Sequence, residues 1–365
     1  MDPGVVYLAT FLSMLVIPLG LFFFALGYRF LAPSNWRILQ TIVKYRENKE
    51  SKNLHVVLLI ISWGAMFPVL YEYRDLLATP RKIYEATRTG YGIFFFSSAM
   101  LNNLAFIAFL FLKRKSFFGS VIFIFLLLVN VYLHGAKGQF IYILMIYFAY
   151  NCYVVGKKMS GRKFILSFGG MALLLISLFT VFAPQRSELV EMAVGISEYS
   201  DYSRNGIMVI DSDIPLEFGK MTLDQAVYSR LPRFLYPDKP KDYGVFALAK
   251  RFYPEQFEND TGAAAFGVGA IWADFGVFSL LYIILWAVFL GGMTKTFAYN
   301  LKESKNMGVF AMLLFLIGID LMPVGAGYTI VEHFILFLLL AAATTRRVRS
   351  SKITDHPKLM DQKND

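Results

Sequence analysis

Cysteine occurs once in the 365 residues, as Cys152, so no disulfide framework can staple this chain and no cysteine-based metal site can form. Charge is scarce as well: Asp, Glu, Lys and Arg make up 17% of the residues against 56% hydrophobic ones. With a mean hydropathy of +0.51, the chain carries more apolar surface than a soluble protein of this size could hide. The alternation of apolar and polar residues that builds an outer-membrane barrel is also missing. These absences leave an all-α polytopic membrane protein.

A bilayer core of about 30 Å asks for roughly 20 apolar residues per helix. Nine such runs can be drawn, at about 4–28, 54–71, 91–112, 117–133, 138–155, 164–183, 265–290, 307–322 and 327–343. Each is apolar around its whole circumference, so lipid and neighbouring helices are its solvent. The first run is too long for a signal-peptide core and only "MDPG" precedes it, so it is expected to be a retained span. The expected organisation is six spans over 1–183, one large outer loop with short helices over 184–264, three spans over 265–343 and a basic cytoplasmic tail over 344–365.

Lysine and arginine counts set the orientation. Segments 29–53, 113–115, 157–163, 291–306 and 344–365 carry six, three, four, three and six of them, while 72–90, 134–137 and 323–326 carry four, one and none. By the positive-inside rule the first set is cytoplasmic, the amino terminus is outside and the carboxyl terminus is cytoplasmic; a periplasmic outer face is what the resemblance given below implies. Long loops translocate largely regardless of charge, and the loop 184–264 holds nine basic and thirteen acidic residues. The net charge of +10 is therefore an anchoring pattern, with no basic stripe for nucleic acid. Segment 29–53 places Trp36, Leu39, Ile42 and Val43 at helical spacing, which suits either an amphipathic helix on the inner leaflet or a solvated linker.

Function is sought where the membrane rules are broken. A loop of about 80 residues is far longer than a connection needs. Its "VYSRLPRFLYPDKPKDYGVFALAKRFYPEQF" mixes aromatic residues with Arg230, Arg233, Lys239, Lys241, Lys250 and Arg251. "TLDQAVYSRL" reads as a helix that starts at Thr222 and that Pro232 ends. Arg230 and Arg233 would share a face if the helix continued. Guanidinium forks match phosphate oxygens, so an anion of phosphate type would suit these arginines. Pairing with Asp224, Asp238 or Asp242 is the structural alternative. Arg186 and Arg204 are further loop candidates.

The ionisable residues within or at the ends of spans form a second set: His134, Lys137, Asp274, Asp320, Glu332 and His333. Each alone could be a capping, hydrogen-bonding or snorkelling side chain. Their convergence on the outer face, beneath an arginine-bearing loop, favours a site.

Three segments then carry a resemblance. "LHGAKGQFIYIL" is similar to the small-Ser-Arg-Gly motif and apolar helix of bacterial O-antigen polymerases and the related ligases. "RLPRFLYPDKP" resembles the Pro-Arg-apolar-aromatic-Pro segment of the polymerases' large outer loop. "DTGAAAFGVGAIWADFGVFSLL" resembles their return from loop to helix, where an acidic residue precedes Phe-Gly. The resemblance runs from about residue 130 to 292, with the three elements in family order. The spacing Arg-x10-Gly recurs at Arg81–Gly92, Arg233–Gly244 and Arg251–Gly262, where chance alone supplies roughly one match.

The resemblance implies a fold of the multi-span glycosyltransferase C type and an enzyme of the bacterial inner membrane. It would polymerise undecaprenyl-diphosphate-linked oligosaccharide repeats into O-antigen or a related surface polysaccharide. Cations would meet the charge developing on the lipid diphosphate, and a carboxylate or imidazole would serve the attacking hydroxyl. Lys137, Arg186, Arg204, Arg230 and Arg233 are the expected diphosphate-binding residues, and Arg233, Asp274, Glu332 and His333 the expected catalytic ones. No metal-ligand spacing is visible, so a metal-independent transfer without a cofactor is expected. A chain-length regulator and a flippase of the same pathway are the implied protein partners, beside membrane lipid. One departure stands out, Lys137 where the family pattern has arginine, because lysine offers a point charge and no bidentate fork.

Two other readings are weighed. An O-antigen ligase would use a histidine in the large loop, yet the histidines are at 55, 134, 333 and 356. A transporter or flippase would show internal repeats and broken helices near the midplane, and no convincing repeat is present.

Overall fold

The computed structural model describes residues 3–31, 46–48, 52–77, 79–87, 91–135, 137–157, 160–162, 166, 169–170, 201–228, 231, 236–258, 266–318, 338–340 and 345–347. Helix dominates. In chain order the elements are α1 (Pro3–Phe30), β1 (Arg46–Asn48), α2 (Leu54–Glu72), α3 (Pro80–Ala86), α4 (Gly92–Leu110), α5 (Phe117–Leu133) and α6 (Lys137–Ala149). Then come α7 (Asp201–Ile210), α8 (Lys220–Tyr228), α9 (Val245–Phe252), α10 (Pro254–Glu258), α11 (Val268–Phe275), α12 (Ser279–Ser304), α13 (Met307–Gly318) and β2 (Thr345–Arg347).

Four helical stretches are long and apolar enough to cross a membrane: Thr10–Phe30, Leu54–Glu72, Gly92–Leu110 and Val268–Lys302. Phe117–Leu133, Gly138–Val154 and Met307–Leu316 are shorter apolar helices. Five of the nine expected runs thus fall on α1, α2, α4, α5 and α6, with a π turn at Tyr150–Val154 carrying α6 onward. The eighth begins on α13. The runs 164–183 and 327–343 lie mostly outside the described residues.

The seventh run differs from expectation. It is not one straight helix: α11 ends at Phe275, a 3-10 turn covers Gly276–Phe278, and α12 continues to Ser304, well past the expected end at 290. Gly276 turns with φ +55°, a conformation glycine adopts freely, and an added Cβ would lie 2.8 Å from Leu216 Cδ2. Ser279 Oγ donates to the Gly276 carbonyl and closes the turn. Hydropathy sees the run as continuous, but backbone sterics split it.

Two packing zones follow. The larger core joins Leu59 of α2, the Ala105–Leu110 end of α4, Phe123 and Leu127 of α5, Ile146 of α6, Phe297 of α12 and Phe310 of α13. On its flank α1 crosses α12 at backbone contact. A Cβ on Gly291 would stand 2.1 Å from the Phe24 carbonyl oxygen, and one on Gly27 2.1 Å from that of Val288. Small residues allow this approach, which gains dispersion contacts that lipid cannot replace.

Two sets of polar side chains inside the bundle link neighbouring helices. Ser62 Oγ donates to the Ser98 carbonyl at 2.8 Å, joining α2 to α4. His134, buried at the end of α5, sets Nδ1 2.7 Å from the Asn130 carbonyl and Nε2 3.2 Å from that of Phe95. Its ring ties the end of α5 to α4, just before the turn that leads into α6. The one strand pairing among the described residues is a short antiparallel ribbon that brings Arg46–Asn48 against Thr345–Arg347.

Candidate functional site

The second packing zone belongs to the long loop. Helices α7 to α10 fold onto α11 around Val209, Met221, Leu248, Ala249, Phe266, Ala270 and Ala273. The apolar stretch Val245–Ala249 gives α9 its buried residues Leu248 and Ala249, while Lys250 and Arg251 of its last turn are exposed. At the crossing of α7 and α11, a Cβ on Gly269 would stand 2.8 Å from Gly206 Cα, so glycine at both positions sets the approach. The described part of the loop is thereby a helical unit seated on the segment that leads into α12.

Asp274 is the pin of that unit. It is fully buried at 0% exposure, and its carboxylate accepts from Gly219 N at 2.9 Å, Met221 N at 3.1 Å, Thr222 N at 2.9 Å and Thr222 Oγ1 at 2.6 Å. Phe218 and Gly219 have φ of +46° and +91°, and this left-handed turn aims the first N–H groups of α8 inward as an anion nest. A carboxylate offers about four lone-pair sites, and all are engaged here. The charge also sits at the positive end of the α8 dipole. A base must give up one of its acceptor sites to a substrate proton, so the geometry makes Asp274 a clamp between α11 and α8. Phe275, next in sequence, stacks on Tyr282 at 4.7 Å between centroids, and Gly276 makes the bend. The acid-Phe-Gly stretch works as one joint.

Gly244 shows why one Arg-x10-Gly match needs its glycine. Its φ is +56°, and an added Cβ would lie 2.3 Å from Gln225 Oε1 and 3.2 Å from Gln225 Cα. Gly244 caps α9 against α8, so any larger residue would push the two apart.

Charge at the unit's surface is arranged unevenly. Lys250 Nζ lies 2.7 Å from Asp242 and holds that carboxyl below its ordinary range through their hydrogen bond. Lys220 stands 3.9 Å from Asp224 and 3.6 Å from Glu217. Two of the three acids that could neutralise Arg230 and Arg233 thus already have lysine partners. Arg204, exposed on α7, donates from Nη2 to Tyr253 Oη at 3.5 Å. Tyr253 Oη in turn donates to Oδ1 of the buried Asn205. One anchor of the guanidinium is thus a hydroxyl that is itself tied to the core.

Of the residues singled out from sequence, Arg204 and Asp274 are brought into this one unit, and Lys137 is the first residue of α6 after Gly135 at φ +58°. Arg186, Arg230, Arg233, Asp320, Glu332 and His333 lie outside the described residues. Sequence reasoning missed Tyr253 and Asn205. They are 48 positions apart, and no spacing rule links them.

No protein-family model matches the chain, and no solved structure does. Two curated relatives do: the O-antigen polymerases of Salmonella typhimurium (strain LT2) and of Salmonella typhi. Each is 36% identical over 278 residues, which is 76% of this chain and 67% of the relative. The chain belongs to the O-antigen polymerase family. The aligned length exceeds the 130–292 stretch on which the sequence resemblance rests, so the kinship extends into the flanking helices. For a member of the O-antigen polymerase family, the geometry separates two kinds of residue. Asp274, Gly244 and Gly276 shape the loop unit, while Arg204 and Arg251 present cationic groups at its surface. Arg251 is exposed and makes no hydrogen bond or ion pair among the described residues.

Proposed function

We propose that this chain is a membrane glycosyltransferase that polymerises undecaprenyl-diphosphate-linked oligosaccharide repeat units into O-antigen or a related surface polysaccharide. The observation that carries the reading is the 36% identity to O-antigen polymerases across 76% of the chain. The loop unit supports it, because an ordered, cation-bearing structure beside a membrane suits a substrate that is half lipid and half sugar.

The transfer runs at the periplasmic face of the bacterial inner membrane. The bond between the anomeric carbon of the growing chain and its diphosphate breaks, and the electron pair leaves with the diphosphate. A hydroxyl of the next repeat forms the new glycosidic bond and loses its proton to a base. Lys137, Arg186, Arg204, Arg230 and Arg233 meet the diphosphates, whose negative charge grows as the bond breaks. The Glu332–His333 pair supplies the base, since the carboxylate of Asp274 is fully engaged in the clamp. The reaction is metal-independent in this reading, the chain's own cations taking the leaving-group charge.

The architecture that goes with it is of the glycosyltransferase C type: about nine spans, a periplasmic amino terminus and loop 184–264, and a cytoplasmic carboxyl terminus. The ribbon supports that topology by joining segments 46–48 and 345–347, which the charge count assigns to one side. A chain-length regulator and a flippase are the accompanying proteins.

The site is tested with purified variants and a defined undecaprenyl-diphosphate repeat unit, by following a ladder of longer products. Arg233→Ala and Lys137→Ala should shorten or abolish the ladder while folded protein persists, and Lys137→Arg should preserve or raise activity because the fork improves phosphate binding. Wild-type ladders from both alanine variants would sink the assignment.

A further inference from the structure

Between α8 and α9 the loop unit carries a second feature that neither the clamp nor the cations use. Tyr228, the last residue of α8, and Tyr236 have near-parallel rings, 11° apart with centroids 6.5 Å from one another. Tyr243 packs beside Tyr228 at 5.6 Å and meets Phe246 at 5.1 Å. Lys239 Nζ lies 4.8 Å from the centre of the Tyr243 ring and donates to the Leu231 carbonyl at 3.1 Å, which ties Leu231 to Lys239 beside that ring.

This cluster is not part of the loop's hydrophobic core, which gathers around Met221, Leu248 and Phe266. Tyr236 is 39% exposed, and Tyr228 and Tyr243 are half-buried. The hydroxyls of Tyr228 and Tyr236 make no hydrogen bond among the described residues. Partly exposed rings held by one another, with the Tyr228 and Tyr236 hydroxyls unpartnered among the described residues, suit an amphipathic ligand.

We infer that the Tyr228–Tyr236–Tyr243 cluster is a saccharide subsite that takes a pyranose ring of the lipid-linked repeat unit. The inference rests on the polymerase reading above and adds where the sugar is recognised. A pyranose presents a face of C–H bonds with partial positive charge, which complements the negative face of an aromatic ring. Its hydroxyls radiate from the ring edge, where phenol hydroxyls can donate or accept. Tyrosine supplies this wide contact at a cost of only two side-chain torsions. Position along the chain agrees. The residues between Tyr228 and Tyr236 include Arg230 and Arg233, so the segment proposed for the diphosphate is flanked by the rings proposed for the sugar. In the substrate the diphosphate and the first sugar are likewise bonded neighbours.

The test uses full-length protein in detergent and two probes. One is the phosphate-free oligosaccharide released by mild acid from lipid-linked repeat units of the host strain. The other is undecaprenyl diphosphate without sugar. Saturation-transfer NMR reads binding of the first and a competition filter assay that of the second. Tyr236→Leu should weaken the oligosaccharide about ten-fold while leaving undecaprenyl diphosphate unchanged. Tyr236→Trp should bind the oligosaccharide at least as well as wild type, since the larger ring keeps the face, and a matching thermal midpoint shows both variants folded. No transfer to the wild-type protein, equal oligosaccharide binding by the Leu and Trp variants, or loss of both probes together would overturn the subsite. The polymerase reading fails by a different result, the absence of a product ladder from wild-type protein given the intact lipid-linked repeat.

Discussion

Asp274 illustrates how a charged residue in an apolar stretch can stand out in the sequence while its hydrogen-bond partners stay hidden. Sequence marks it as an ionisable group in a membrane-length run, which is a sound reason to suspect chemistry. Its four donors come from residues 52 to 55 positions earlier, a distance at which no local pattern reports a contact. Asp274→Asn replaces acceptors by an NH2 group facing N–H donors. It should destabilise the protein by about 3 kcal/mol, read as a lower thermal midpoint, and activity should fall with it. An inactive Asp274→Asn protein with an unchanged midpoint would instead return the residue to the role of base. The Arg204–Tyr253–Asn205 chain is a subtler case. Removing the Tyr253 hydroxyl in Tyr253→Phe should take away one anchor of the guanidinium and raise KM for the lipid-linked repeat about five-fold, with kcat within about two-fold. Arg204→Ala should show the larger loss, and adding Tyr253→Phe to it should change nothing further. A Tyr253→Phe enzyme with wild-type KM would break that link.

Elements were legible where the signal is local. Runs such as 54–71, 91–112 and 117–133 coincide with α2, α4 and α5 to within two residues, because a span needs only its own apolar length. Legibility fails at α11 and α12. The Gly276 turn depends on Leu216 and on the clamp beside it, and an averaged hydropathy passes over one glycine. The crossing of α1 and α12 is a similar tertiary fact: nothing local distinguishes Gly27 and Gly291 from a tolerated glycine such as Gly64, around which no atom would meet a Cβ within 4 Å. Gly291→Val would drive a side chain into the backbone of α1, which cannot yield as a side chain can. It should lower the yield of folded protein sharply, by roughly 3 kcal/mol or more. Gly64→Ala should be neutral or stabilising by up to about 1 kcal/mol. Thermal unfolding of the two variants side by side in one detergent checks the contrast, and equal midpoints would contradict the packing.

At the scale of the whole molecule, the chain combines an apolar bundle with a loop unit whose own small core and buried carboxylate fix it to the segment entering α12. The class of protein was legible from composition alone. The family was legible from three short motifs, and relatedness over 278 residues bears it out. The site was legible only as a set of residue types, since Tyr253, Asn205 and the tyrosine cluster gain meaning from contacts between distant segments. The proposed division of labour is a loop unit that presents cations and aromatic rings beside an apolar helical bundle. Its most direct test is reconstitution of the purified wild-type protein in liposomes with one defined undecaprenyl-diphosphate-linked repeat unit. A ladder of products, each longer by one repeat, is expected without any other protein. Intact repeat units moved between leaflets, with no product longer than one repeat, would contradict it.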